Sequence, residues 1–189
     1  DLDDRINWEE LKRVVHLAVR FLDNVIDASR FPLDQITKMV ATNRKIGLGV
    51  MGWADLLFQL ELPYNSREGL KLGAKIMEFL LAESRSASKA LAAERGPFPA
   101  YDQSTFAERN LGPYRNATTT TIAPTGTLSI IAGCSSGIEP LFALSFVRNV
   151  MDGEQLVESN PHFEDALRDA ESFSENLMRE VSKTGTIQH

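Results

Sequence analysis

The stretch that most narrows the fold runs from Ser66 to Glu94. Leu70, Ala74, Met77, Leu80, Leu81, Ser84, Ala87 and Leu91 recur along it, mostly three or four residues apart, the spacing that gathers apolar groups onto one helix face. Ser66 offers an N-cap hydroxyl, and Gly96 followed by Pro97 closes the far end. A second stripe, Leu11, Val14, Val15, Ala18, Val19, Leu22, Val25 and Ile26, predicts a helix over Trp8–Asp27 with Asn7 as N-cap and Glu10 at the capping-box position. Pro32 opens a short helix through Met39, and Gly49 to Leu60 reads as another. Asn160-Pro161 pairs an N-cap with a proline at N1 for a helix through Ala170, and Ser172 to Lys183 is one more.

Strand signals are fewer. Ala117 to Ile122 contains four consecutive threonines before Ile122, and β-branched residues favour extended backbone. Leu141 to Val150 is the second candidate, with Asp152-Gly153 as a turn. Residues 97–116, with Pro97, Pro99 and Pro113, read as loop. The expectation is therefore an α/β chain in which helices dominate, a helical part over 1–96 and a strand-and-loop part over 97–189. No repeat or linker divides it.

Composition excludes several classes. With 43% apolar and 24% charged residues, the chain has enough apolar matter for a core and is not a disordered tail. It has 20 basic and 26 acidic residues, a net charge of −6, and the basic ones form no stripe, so nucleic acid is not an expected partner. A lone cysteine, Cys134, cannot make an internal disulfide or a cysteine zinc site. It is expected to be inert packing, in a reducing, cytoplasmic setting. No apolar run approaches the ~20 residues of a membrane span. The chain starts at Asp1 without Met and stops at His189 without a closing cap, so both ends are expected to be cuts.

Two short motifs imitate known sites. Gly47-Leu48-Gly49-Val50-Met51-Gly52 fits G-x-G-x-x-G, and Glu68 falls near the distance of a ribose-binding acid. The residues before it, Thr42 to Ile46, are no buried strand, so close approach of a helix to another backbone is the better reading. Gly133-Cys134-Ser135-Ser136-Gly137 fits the G-x-S-x-G nucleophile elbow, with His162 and His189 downstream. Pro140 would break the helix an elbow requires. A serine hydrolase using Ser135 stands as an alternative. His16 lies among apolar neighbours and reads as structural, and three scattered histidines support no metal site.

The informative stretch is Thr118 to Ser129. It reads as a strand, a sharp Pro124-Thr125-Gly126 turn, then hydroxyl residues opening a helix. A helix start presents unpaired N–H groups and the positive end of the dipole. Gly126 has no side chain to hold an anion away, and Thr125, Thr127 and Ser129 add hydroxyl donors. An acidic chain could hold a phosphate or diphosphate this way. On physical grounds alone, hydroxyls that merely cap the helix explain the stretch equally well.

Four segments in series, Arg44 to Gly52, Arg115 to Thr118, Ile122 to Thr127 and Ser136 to Pro140, together resemble the large catalytic subunit of ribonucleotide reductase, most closely its adenosylcobalamin-dependent class. The resemblance covers nearly the whole chain. It implies part of a ten-stranded α/β barrel, and reduction of a ribonucleotide at the 2′ carbon through a thiyl radical. It also implies adenosylcobalamin as cofactor and an external dithiol such as thioredoxin as reductant; an oligomer is compatible with it. By the same resemblance Pro124, Thr125, Gly126, Thr127 and Leu128 hold the substrate diphosphate. The radical cysteine, its N-x-C-x-E motif and the reducing cysteines lie outside the resembled region, so no catalytic residue is assigned, and this piece alone is expected to be inert. A large subunit served by a metal-cofactor radical partner is the alternative within the family. A ligand-free interaction module is the alternative outside it.

Overall fold

The structure is a computed structural model that describes residues 2–149 and 155–187. Its helices are α1 (Trp8–Ala28), α2 (Asp34–Asn43), α3 (Trp53–Gln59), α4 (Arg67–Arg95), α5 (Thr105–Glu108), α6 (Gly126–Ala132), α7 (Pro161–Asp169) and α8 (Glu175–Thr184). Strands β1 (Ser145–Asn149) and β2 (Gln155–Ser159) form an antiparallel pair in which Ser145 faces Ser159 and Asn149 faces Gln155. The chain divides into two compact units that interleave in sequence: Asp1–Val50 with Leu70–Ala123, and Met51–Gly69 with Pro124–His189.

In the first unit α1 lies against α4. Val15, Val19, Ile46, Leu80, Ala87 and Leu91 form its buried centre, ringed by Leu11, Leu22, Ile26, Leu48, Val50 and Met77. Polar pairs run along the seam: His16 Nε2 meets Glu83 Oε2 at 2.8 Å, and Arg20 holds Glu94. His16 is thus structural, as its neighbours predict. Both long helices begin where the caps place them. Asn7 Oδ1 accepts from Glu10 N at 3.0 Å, and Ser66 Oγ accepts from Gly69 N at 3.0 Å.

The threonine run is extended, yet it forms no regular strand. It pairs in parallel with the 46–48 segment through one bridge, Leu48 to Thr120: Leu48 N donates to Thr119 O and Thr121 N donates to Leu48 O. Thr118 Oγ1 donates to Ile46 O, a carbonyl that a longer ladder would use, and Thr119 Oγ1 accepts from the Ser84 hydroxyl. Close approach accounts for the glycines. A Cβ on Gly47 would lie 2.8 Å from Thr121 Cγ2, and one on Gly49 would lie 2.8 Å from Thr121 O. The approaching element is this extended segment and not a helix, which corrects the sequence reading.

Boundaries shift for local reasons. Gly52 sits at φ 77° as the N-cap, so α3 begins at Trp53 rather than Gly49. Pro32 precedes α2 without entering it, and that helix runs past Met39 to Asn43, where Arg44 turns left-handed at φ 45°. The loop over 97–116 contains a 3-10 turn (Tyr101–Gln103) and α5.

In the second unit α7 and α8 bury Phe163, Met178 and Val181, with Phe58, Leu144, Leu167, Phe173 and Leu177 around them. Asn160 Oδ1 accepts from His162 N and Phe163 N, as its N-cap position predicts. Helix α8 starts later than Ser172, capped by Ser174. Strand β1 is shorter than the predicted 141–150, and β2 escaped the sequence reading. Val150, the Asp152-Gly153 turn and His189 lie outside the described residues. Among the described residues the only strands are β1 and β2, so helices dominate as expected and a ten-stranded barrel is not seen.

Candidate functional site

Residues 124–128 form a sharp entry into α6. Thr125 is the N-cap residue in the left-handed region, φ 54° and ψ 26°, which a β-branched residue seldom occupies. Its side chain does not cap the helix. Instead Thr125 Oγ1 accepts from Gly137 N at 2.7 Å, leaving the hydroxyl proton free to donate. The first helical hydrogen bond is Ser129 N to Thr125 O, at 2.8 Å. Among the described residues the amides of Gly126, Thr127 and Leu128 therefore have no acceptor. Beyond its chain neighbours and its own helix backbone, no atom lies within 4 Å of where a Cβ on Gly126 would sit, and Thr127 and Leu128 are exposed. Bare N–H groups facing open space at the positive end of a helix can receive an oxyanion.

The far side of this entry is tightly bonded. Ser129 Oγ donates to Gly126 O and lies 2.8 Å from Ser136 Oγ, while Cys134 N donates to Ser129 O. The 134–137 segment is also tied to the start of α3. Gly52 N donates to Ser135 O, Ser135 N donates to Asp55 Oδ2 at 2.5 Å, and Asp55 N donates to Ser135 Oγ. Asp55 Oδ1 accepts from Asn160 Nδ2 at 3.0 Å. A cavity of about 590 Å³ opens beside these groups, lined among others by Asp55, Ser129, Cys134, Ser136, Phe142 and Asn160.

Ser135 does not sit on a nucleophile elbow. Helix α6 and left-handed Gly133 precede it in place of a strand, and no helix follows before Pro140. Its hydroxyl accepts from the Asp55 amide, and His162 Nε2 pairs with Gln59 at 3.1 Å. Cys134 is half-buried and lines this cavity, and burial, helped by the Asp55 charge, pushes its thiol up. No group of His, Cys, Asp or Glu among the described residues could hold a metal ion, and no described helix is long and apolar enough to cross a membrane.

Sequence reasoning passed over Asp55 and Asp23. Asp55 had a visible signal, a lone acid within Trp53-Ala54-Asp55-Leu56-Leu57. Asp23, fully buried in the first unit, receives Arg44, Arg95, Arg115 and Asn116. Two of the four recognisable segments therefore serve an ion cluster.

Helices around a short parallel pairing, with an unpaired helix start after a Pro-Thr-Gly turn, define a helix-dominated α/β protein. The family model for the ribonucleotide reductase barrel domain matches residues 1–113 and 109–189, and the chain belongs to that family. It is 55% identical over 185 residues to the vitamin B12-dependent ribonucleoside-diphosphate reductase of Thermoplasma acidophilum, covering 98% of this chain and 24% of the relative. The enzyme of the same description from Mycobacterium tuberculosis is 45% identical over 186 residues, covering 98% and 26%. The chain thus spans about a quarter of the length of these relatives. The class Id ribonucleotide reductase alpha subunit of Actinobacillus ureae shares the fold, with a TM-score of 0.75 at 24% identity over 97% of this chain and 33% of that one.

Proposed function

We propose that this chain is the part of a vitamin B12-dependent ribonucleoside-diphosphate reductase that grips the substrate's diphosphate through residues 124–128. The chain's helices and extended segments then belong to a ten-stranded α/β barrel completed by the rest of the protein. The observation that carries the reading is the set of open amides at Gly126, Thr127 and Leu128. The names of the relatives favour the substrate and the cofactor. Pro124 sets the turn, Thr125 and Thr127 add hydroxyl donors, and the amides point at the phosphate oxygens.

The division of labour follows from the residues. This chain's part is positioning: a fixed diphosphate places the ribose against chemistry performed elsewhere, converting a loose encounter into a set geometry. Adenosylcobalamin supplies the radical in the whole enzyme, which an external dithiol such as thioredoxin re-reduces in the cytoplasm. Of the chain's histidines, His16 is engaged by Glu83 and His162 by Gln59.

The test uses the full-length reductase carrying this segment, with CDP and cytidine as probes. A Cβ at position 126 meets no atom within 4 Å beyond its chain neighbours and its own helix backbone, so Gly126→Val should leave the fold intact while covering the amides. Losing one or two hydrogen bonds to a charged group, at roughly 1.5–3 kcal/mol each, should weaken CDP at least tenfold and leave cytidine unchanged. Unchanged CDP affinity overturns the reading. Activity that does not depend on added adenosylcobalamin would instead assign the enzyme to the class with a metal-cofactor partner.

A further inference from the structure

We infer that Asp55 is a positioning residue for the diphosphate loop, acting through the 134–137 segment and Thr125. The inference rests on the reading of residues 124–128 as the diphosphate site. Asp55 is 7% exposed in the first turn of α3, between apolar neighbours. A buried carboxylate is costly unless fully engaged, and here neutral donors do the engaging: Ser135 N at Oδ2 and Asn160 Nδ2 at Oδ1. The 2.5 Å bond from Ser135 N is of the charge-assisted kind, stronger than one between neutral groups.

What Ser135 carries gives the bond its consequence. Two residues on, the Gly137 amide reaches Thr125 Oγ1 at 2.7 Å, and between them Ser136 Oγ meets Ser129 Oγ at 2.8 Å. The segment is therefore a strap, fastened at one side to Asp55 and Gly52 and at the other to the first turn of α6. Thr125 needs such a strap. A left-handed β-branched residue persists only where its surroundings over-determine it, and the hydroxyl that Gly137 grips is its side-chain anchor. Loosening the Asp55 carboxylate frees the Ser135 N–H and leaves the strap held only by the Gly52, Asp55 and Trp53 amides, at Ser135 O, Ser135 Oγ and Gly137 O; the shifted strap lets Thr125 relax towards an ordinary conformation and turns the amides of Gly126 to Leu128 away from a common target. Asp55 touches no ligand in this scheme.

The test measures CDP and cytidine affinity, with thermal midpoints, in the full-length reductase for Asp55→Asn, Thr125→Val and Thr125→Ser. Asp55→Asn keeps the shape and removes the charge, Thr125→Val removes the acceptor of the Gly137 amide, and Thr125→Ser restores it. The expected result is a tenfold or greater loss of CDP affinity in the first two, cytidine within twofold of wild type, and recovery in Thr125→Ser. A purely structural role would lower the midpoint and leave the ratio of CDP to cytidine affinity alone. A folded Asp55→Asn with the wild-type ratio overturns the inference. So does Thr125→Val with that ratio, even if Asp55→Asn fails to fold. If Gly126→Val loses CDP while both strap variants keep it, the diphosphate site stands and the strap falls. If the wild type itself fails to prefer CDP, both fall.

Discussion

Replacing Asp23 by Asn tests the ion cluster at the centre of the first unit. The carboxylate is fully buried. Its Oδ1 receives Arg44 Nε at 3.0 Å, Arg44 Nη2 at 2.9 Å and Asn116 Nδ2 at 3.0 Å. Its Oδ2 receives Arg95 Nη1 at 3.2 Å and Arg115 Nε at 3.3 Å. Three guanidiniums thus share two carboxylates, Asp23 and Asp27. Asn removes one charge and turns an NH₂ group towards donors that cannot accept it. Breaking a buried pair from one side costs about 3–5 kcal/mol. The Arg95 side chain is 28% exposed and the Arg115 side chain 13%; water therefore rescues part of the loss, and about 3 kcal/mol is expected. At about 1.4 kcal/mol per decade, amides that exchange through opening of this unit should lose about two decades of protection. Hydrogen–deuterium exchange followed by mass spectrometry, on peptides covering α1 and residues 115–119, measures this directly. Protection within threefold of wild type would show that the cluster does not hold the unit together.

Two further outcomes concern close packing and acid. Gly49→Ala sets a methyl 2.8 Å from a backbone oxygen of Thr121, an overpacking cost of roughly 1–3 kcal/mol, whereas Gly126→Ala meets nothing. Thermal unfolding should therefore fall for the first and hold for the second; equal midpoints would contradict the close approach. Acid should loosen the unit in a definite window. The hydrogen bond from Arg20 takes Glu94 from 4.5 to about 2, that from His16 lowers Glu83, and that from Arg44 lowers Asp27. Carboxylates depressed in the folded state stabilise it fully above their ordinary values, and that stability disappears as pH falls through the folded ones. The midpoint should decline from about pH 4.5 down to about 2, less steeply in Glu94→Gln; an identical slope in that variant would remove Glu94 from the account.

What the sequence disclosed and what it hid divides by range of interaction. Asn7, Ser66 and Asn160 cap helices through bonds two or three residues away, so those starts are legible from neighbours alone. Periodicity starts α3 too early because Val50 and Met51 continue an apolar pattern, while the deciding fact is the left-handed turn at Gly52. The threonine run has strand propensity without a strand's partners: it meets one short segment, and the Thr118 hydroxyl takes the Ile46 carbonyl. Asp55 is tied to Ser135 across 80 positions and to Asn160 across 105. No local pattern announces such a pair, although an isolated acid on an apolar helix asks what satisfies it.

Recognisable segments are not interchangeable in what they do, and their contacts sort them. Arg44, Arg115 and Asn116 converge on Asp23, and Gly47 and Gly49 exist to let Thr121 come near. Changes there act on folding first and on any ligand only through it. Thr125 and Gly137, from the other two segments, are bonded to each other, and Ser136 is bonded to Ser129 in the helix that follows. Gly126, between them, has open space where a Cβ would sit. Packing within the chain would admit a side chain at position 126, whereas at position 49 the Thr121 carbonyl leaves no room for one. That contrast between two glycines, one enclosed by a carbonyl and one facing open space, is the physical ground for placing a ligand at the start of α6 rather than at the glycine-rich stretch that imitates a nucleotide fingerprint.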